Sequence, residues 1–88
     1  MKLEDLRKEI DKIDEKIFLL LKERFKLVRK IGKIKKSKGM KIYQPKRERE
    51  ILMKIARKAR KYRIDPKEII KIYKAILKAS RKIQQNLE

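Results

Sequence analysis

Apolar residues recur along the first part of the chain at alternating spacings of three and four: Leu3, Leu6, Ile10, Ile13, Ile17, Leu20, then Arg24, Leu27, Ile31 and Ile34. This is the heptad rhythm of a helix that lays one seam against another helix. Gly39 supplies a C-terminal cap, so the pattern predicts a first helix over residues 3–38, roughly 50 Å long at 1.5 Å per residue. A second helix is expected over 45–62, opened by Pro45 in its first turn, with Glu48, Ile51, Leu52, Ile55, Ala59 and Tyr62 on one side. The third, over 66–87, has the clearest start: Asp65 as N-cap, Pro66 at the first helical position and Glu68 placed for a capping box. Its stripe reads Ile69, Ile70, Tyr73, Ile76, Leu77, Ser80, Ile83, Gln84 and Leu87. No strand pattern or repeat competes, so the expected fold is all-α, three helices per chain in a single domain over 1–88.

A chain of 88 residues cannot cover a helix of that length by itself. Domains this small bury only about 60% of their unfolded surface, and association is the usual remedy. The expectation is an intertwined helical homodimer.

The informative positions are those that break the apolar pattern, because a polar group at a core position costs free energy unless it is satisfied. Arg24 occupies the seam register that otherwise carries Leu3, Ile10, Ile17 and Ile31. It either pairs with a glutamate of the second or third helix or meets an anionic ligand. Lys35 lies three turns further on, nearly on the same face and ~16 Å away along the axis, so the two cations can converge on one small dianion. Taken alone, Lys35 is one solvated lysine among many. Ser80 and Gln84, one turn apart, interrupt two apolar rows of the third helix and form a pair of uncharged hydrogen-bonding groups. A serine there can equally be bonded back to its own turn, and Gln84 stands near a chain end. Glu48 leads the stripe of the second helix but also suits the positive end of the helix dipole, and Arg47 beside it shares the ambiguity. Gly32 sits inside the first helix at a cost of ~1 kcal/mol relative to alanine, which points to a close approach of backbone or ligand. Arg7 lies ~25 Å from Arg24 on the same helix, too far for both to hold one small molecule. Two first helices paired antiparallel about an axis near Asp14 to Lys16 would bring Arg7 of one chain level with Arg24 of the other.

Composition narrows the chemistry. There is no cysteine and no histidine, which excludes a disulfide framework, the usual zinc sites and histidine acid–base catalysis. The formal charge of +18 would suit nucleic acid or another polyanion, but richness in lysine, glutamate and isoleucine is also the balance of thermophile proteins. No apolar run approaches the ~20 residues of a membrane span, and Met1-Lys2-Leu3-Glu4-Asp5 lacks the apolar stretch of a signal peptide. A cytoplasmic protein is expected.

These residues together resemble the all-helical chorismate mutases, from Leu6 to Gln85. The resemblance is carried by Leu6-Arg7, Ile13-Asp14, Lys16-Ile17, Glu23-Arg24, Gly32-Lys33, Lys35, Arg47-Glu48-Arg49-Glu50, Ser80 and Gln84-Gln85. It implies rearrangement of chorismate to prephenate, in phenylalanine and tyrosine biosynthesis, without cofactor or metal. It further implies that Arg7 of the partner chain and Arg24 clamp the two substrate carboxylates, and that Lys35 and Gln84 donate to the ether oxygen of the breaking bond. Glu48 would hold the ring hydroxyl, with Arg47 and Ser80 supporting the hydroxyl and carboxylate ends. Gln44 departs from the family pattern, which commonly has an acid there, although an amide can still hydrogen-bond a hydroxyl. Two alternatives remain on the sequence: an isochorismate-pyruvate lyase of the same fold, and a basic helical protein that binds nucleic acid. The second explains the net charge but not the polar residues inside the seams, and no nucleic-acid motif or interleaved aromatic row accompanies it.

Overall fold

The computed structural model describes residues 2–87; the ends of the 1–88 span, Met1 and Glu88, lie outside the described residues. Three helices follow in order: α1, Leu3–Ser37; α2, Pro45–Lys61; and α3, Pro66–Gln85. The sequence pattern placed each boundary to within two residues. α3 packs against both other helices, whereas α1 and α2 do not pack on each other. A trough therefore opens between α1 and α2, with α3 as its floor.

The chain turns are closed by local chemistry. After α1, Gly39 adopts a left-handed φ of +65°, and the amides of Gly39 and Met40 donate to the carbonyls of Lys36 (3.3 Å) and Lys35 (2.8 Å). This arrangement satisfies the carbonyls that a helix end leaves without partners. After α2 the same device recurs with Arg63 at φ 56°, and Ile64 donating to the Ala59 carbonyl at 2.8 Å. Asp65 caps α3, its side chain accepting from the Lys67 amide at 3.0 Å. The expected capping box does not form: Asp65 caps the amide of Lys67, not that of Glu68, and the Glu68 side chain pairs with Lys71 (3.2 Å).

Within the chain α1 uses two different faces. Val28 and Gly32 are buried and Leu21, Phe25 and Lys35 half-buried, a stripe turned toward α3. The heptad seam is left open: from Leu3 to Leu20 its residues are 45% (Leu6) to 64% (Leu20) exposed. Leu27, Ile31 and Ile34 are also exposed. On α3 the stripe faces inward as its periodicity requires, with Leu77, Ser80 and Gln84 buried. On α2 the pattern holds from Glu48 to Ala59, but Tyr62 is exposed, because it is the C-cap residue where the chain leaves the helix. No helix among the described residues is long and apolar enough to cross a membrane.

At Gly39 an added Cβ would meet no atom within 4 Å, so the cost of a side chain there is confined to backbone conformation. Gly39→Ala should therefore destabilise the fold by about 1–2 kcal/mol, the usual penalty of an L-residue in left-handed geometry. A melting temperature equal to that of the parent protein would show that the turn after α1 does not constrain stability.

Candidate functional site

The trough contains a cavity of about 440 Å³. Its walls are Arg24, Leu27, Val28, Ile31 and Lys35 from α1 and Arg47, Glu48 and Ile51 from α2, with Ile42 and Gln44 from the connecting loop. Leu77, Ser80, Arg81 and Gln84 of α3 form the floor. Apart from Gln44, each polar group projects from a helix whose apolar residues pack in the fold, so the helix that builds the fold also aims the side chain. The size suits a small molecule, and the mixture of apolar wall with a few fixed polar groups is the usual constitution of a ligand site.

Arg24 does not form the intrachain ion pair that its seam position left open. No carboxylate among the described residues lies within ion-pair distance of it; its guanidinium donates instead to Ser80 Oγ at 2.8 Å. Ser80 Oγ in turn donates to the Ile76 carbonyl at 2.8 Å. The serine is thus bonded to its own turn and at the same time orients the arginine.

Lys35 Nζ donates to the Ile42 carbonyl and to Gln84 Oε1, both at 2.9 Å. Gln84 Nε2 donates to the Ser80 carbonyl at 3.2 Å. Both side chains are held by these bonds, yet an ammonium has three N–H donors and an amide two, so each retains one for a ligand. Burial holds the pKa of Lys35 below the ordinary lysine value of 10.5, against the opposing pull of Glu48. Loss of hydration thus outweighs the nearby carboxylate.

The α2 side carries the other charges. Glu48 Oε1 accepts from Arg81 at 2.5 Å, and the Arg81 guanidinium lies over the Tyr43 ring, 5.1 Å from its centroid. Arg47 is exposed at the rim, 3.9 Å from Glu50. Gln44, the residue before α2, is half-buried and adds no charge. Four cations, Arg24, Lys35, Arg47 and Arg81, therefore face one carboxylate, Glu48. Such an imbalance in a partly desolvated trough favours an anionic ligand.

Of the residues singled out in the sequence, Arg24, Lys35, Gln44, Arg47, Glu48, Ser80 and Gln84 are brought together here. Arg7 is not; it pairs with Glu4 at 2.7 Å on the exposed N-terminal part of α1. Arg81 and Tyr43 were missed. Arg81 continues the inward row Leu77, Arg81, Gln84 at spacings of four and three, a signal obscured by the abundance of basic residues on the same helix. Nothing local marked Tyr43, whose place depends on the path of the loop.

Fold and site define an all-helical protein with a cationic trough. A family model described as chorismate mutase type II matches residues 6–85. The chain is 42% identical over 89 residues to a bifunctional chorismate mutase/prephenate dehydratase of Aquifex aeolicus, matching 98% of this chain and 25% of that protein. It is 33% identical over 84 residues to a chorismate mutase of Methanocaldococcus jannaschii, covering 96% of this chain and 85% of the relative. Among solved structures, chorismate mutase form II from Thermus thermophilus superposes with a TM-score of 0.88 at 31% identity, covering 100% of this chain and 99% of that one. The chain belongs to the chorismate mutase type II family. It spans a quarter of the length of its bifunctional relative.

Gly32 is what lets α3 reach the site. A Cβ there would stand 2.6 Å from Leu87 Cδ1 and 2.9 Å from Gln84 Cγ. The leucine tip can swing aside, but the Gln84 Cγ lies next to its own backbone and can move only by displacing the amide. Gly32→Ala should gain ~1 kcal/mol of helix propensity, which offsets much of this strain. The expected outcome is a nearly unchanged melting temperature together with a crystal structure in which the Lys35–Gln84 bond is lost. Retention of that bond would show that the close approach does not position Gln84.

Proposed function

We propose that the chain, as a single chorismate mutase domain in the cytoplasm, converts chorismate to prephenate in aromatic amino acid biosynthesis. The observation that carries this reading is the pair of α1 cations, Arg24 and Lys35, neither ion-paired to a carboxylate, flanking the Gln84 amide in the cavity. The reaction is a [3,3] rearrangement: the ether C–O bond breaks as a C–C bond forms, with no proton transfer, nucleophile or metal required. The protein's task is to hold the dianion in its compact diaxial conformer and to stabilise negative charge that grows on the ether oxygen.

The roles are those that the family resemblance implies, and the free donors support them. Arg24, oriented by Ser80, meets one carboxylate in this reading, and Lys35 and Gln84 offer their remaining donors to the ether oxygen. Glu48 accepts from the ring hydroxyl, assisted by Arg47 and Gln44 at the α2 rim. A second carboxylate clamp comes from Arg7 of a second copy. The open seam of α1 supports this homodimer, since each large aliphatic side chain fully withdrawn from water contributes about 1.5–3 kcal/mol. Antiparallel pairing of two such helices gives shared sites, formed twice.

Ultraviolet loss of chorismate, with isochorismate assayed beside it, tests the activity, and its pH dependence tests Lys35. The active form is the ammonium, so kcat/KM should fall as pH rises through the Lys35 pKa, which lies below 10.5. Bound dianion raises that pKa, so the corresponding fall in kcat should come at higher pH. Lys35→Ala should lower turnover at least about a hundredfold, as loss of a donor to a developing oxyanion does. An alkaline limb that is unchanged in Lys35→Arg, which stays charged, would remove Lys35 from that role.

The shared site is tested by complementation. Arg7→Ala and Lys35→Ala homodimers should each be inactive, whereas a mixture refolded together should regain about a quarter of wild-type activity, because half the dimers are mixed and each has one intact site. Complete subunit exchange, checked by mass spectrometry of differently tagged chains, without recovery would exclude the antiparallel shared arrangement.

A further inference from the structure

Among the four cations of the cavity, Arg81 alone is bound to its carboxylate. Arg24 meets only the Ser80 hydroxyl and Lys35 only carbonyl oxygens, while Arg47 stands at the rim beside Glu50, which is outside the cavity. The Arg81 and Glu48 side chains are only 28% and 20% exposed, so their pairing is far less diluted by solvent than the ion pairs on the outer faces of the helices. The guanidinium also lies over the Tyr43 ring, 5.1 Å from its centroid. A planar cation engaged by both an aromatic face and a carboxylate loses most of its freedom to rotate, and it confers the same restriction on its partner.

We infer that Arg81, held by Tyr43, is a positioning residue that fixes the Glu48 carboxylate for recognition of the ring hydroxyl of the substrate. This inference rests on the chorismate mutase reading and on the hydroxyl role given to Glu48. One carboxylate oxygen, Oε1, is taken by Arg81, which leaves Oε2 as the acceptor. Glutamate has three rotatable side-chain bonds, and without the guanidinium its carboxylate is free to swing toward Lys35, the cavity cation whose charge it already favours. Arg81 therefore has two effects. It presents an acceptor at a set point, and it keeps that acceptor from neutralising the ammonium needed at the ether oxygen. Gln44, the other polar group at this end, offers only a neutral amide oxygen, a weaker acceptor than a carboxylate held by a guanidinium.

The test compares chorismate with its analogue lacking the ring hydroxyl, measuring kcat/KM for both in the wild-type protein and in Glu48→Ala, Arg81→Ala, Arg81→Lys and the Glu48→Ala/Arg81→Ala double variant. The wild type should prefer chorismate by about tenfold or more, the worth of a hydrogen bond to a charged group. Arg81→Ala should lose that preference as fully as Glu48→Ala does, Arg81→Lys should recover part of it, and the double variant should be no worse than either single one. Should Arg81→Ala fail to fold, Tyr43→Leu, which removes only the covering ring, is expected to weaken the preference in the same direction. An equal fall on both substrates in Arg81→Ala, or a double variant whose losses multiply, would overturn the inference while leaving the hydroxyl role of Glu48 standing. Unchanged preference in Glu48→Ala would overturn both.

Discussion

The approach of α3 to α1 at Gly32 is the constraint on which the rest of this structure depends. Only where one residue lacks a Cβ can Gln84 and Leu87 lie so close to α1, since that Cβ would stand 2.6 Å from Leu87 Cδ1 and 2.9 Å from Gln84 Cγ. This contact brings the Gln84 amide to Lys35 Nζ at 2.9 Å, and Lys35 reaches on to the Ile42 carbonyl of the loop. One close approach thus ties α1, α3 and the loop that launches α2. Because α1 and α2 do not pack on each other, the space between them stays open as a trough rather than closing as a core.

The same architecture explains why the chain leaves so much apolar surface uncovered. In a principal-axis frame of 55 × 28 × 15 Å the long dimension is essentially α1 alone, and its N-terminal half has no neighbour within the chain. The inward stripe Leu21, Phe25, Val28 and Gly32 is offset from the heptad seam, so intrachain packing leaves the seam open. α1 thus carries two apolar stripes, of which its own chain covers one.

Much of this was legible in the amino-acid sequence because helices declare themselves through local rules. Proline and glycine marked the ends, and Asp65 before Pro66 named a cap that is formed. The candidate site was legible for a related reason: Arg24, Ser80 and Gln84 are polar residues in apolar registers, and only a satisfied arrangement tolerates them there. What escaped was non-local or masked. Glu68 matched a capping box by spacing but found Lys71 one turn away, a competing partner that spacing does not rank. Tyr62 fitted the α2 period yet sits where the helix has ended, and periodicity carries no information past the last turn. Arg81 was hidden by composition, since 30 basic residues in 88 make any one of them unremarkable. Its partner Tyr43 required knowledge of the loop's path.

The arrangement of donors bears on what a site without histidine or cysteine can do for an anion. Every polar side chain on the cavity floor is tied to protein: Ser80 to Ile76, Gln84 to Ser80 and Lys35, Arg81 to Glu48. No buried side-chain nitrogen or oxygen among the described residues lacks a partner. The network is therefore fixed before any ligand arrives, and no reorientation is needed when charge begins to move in the substrate. Water around the same charge would have to reorganise, whereas dipoles held in place by the fold do not. Lys35 carries the cost of this arrangement, as its desolvation against apolar walls holds its pKa down. A partly desolvated ammonium interacts more strongly with an anion placed beside it than a fully hydrated one does, so the burial that disfavours the free cation strengthens its pull on an anion in the trough.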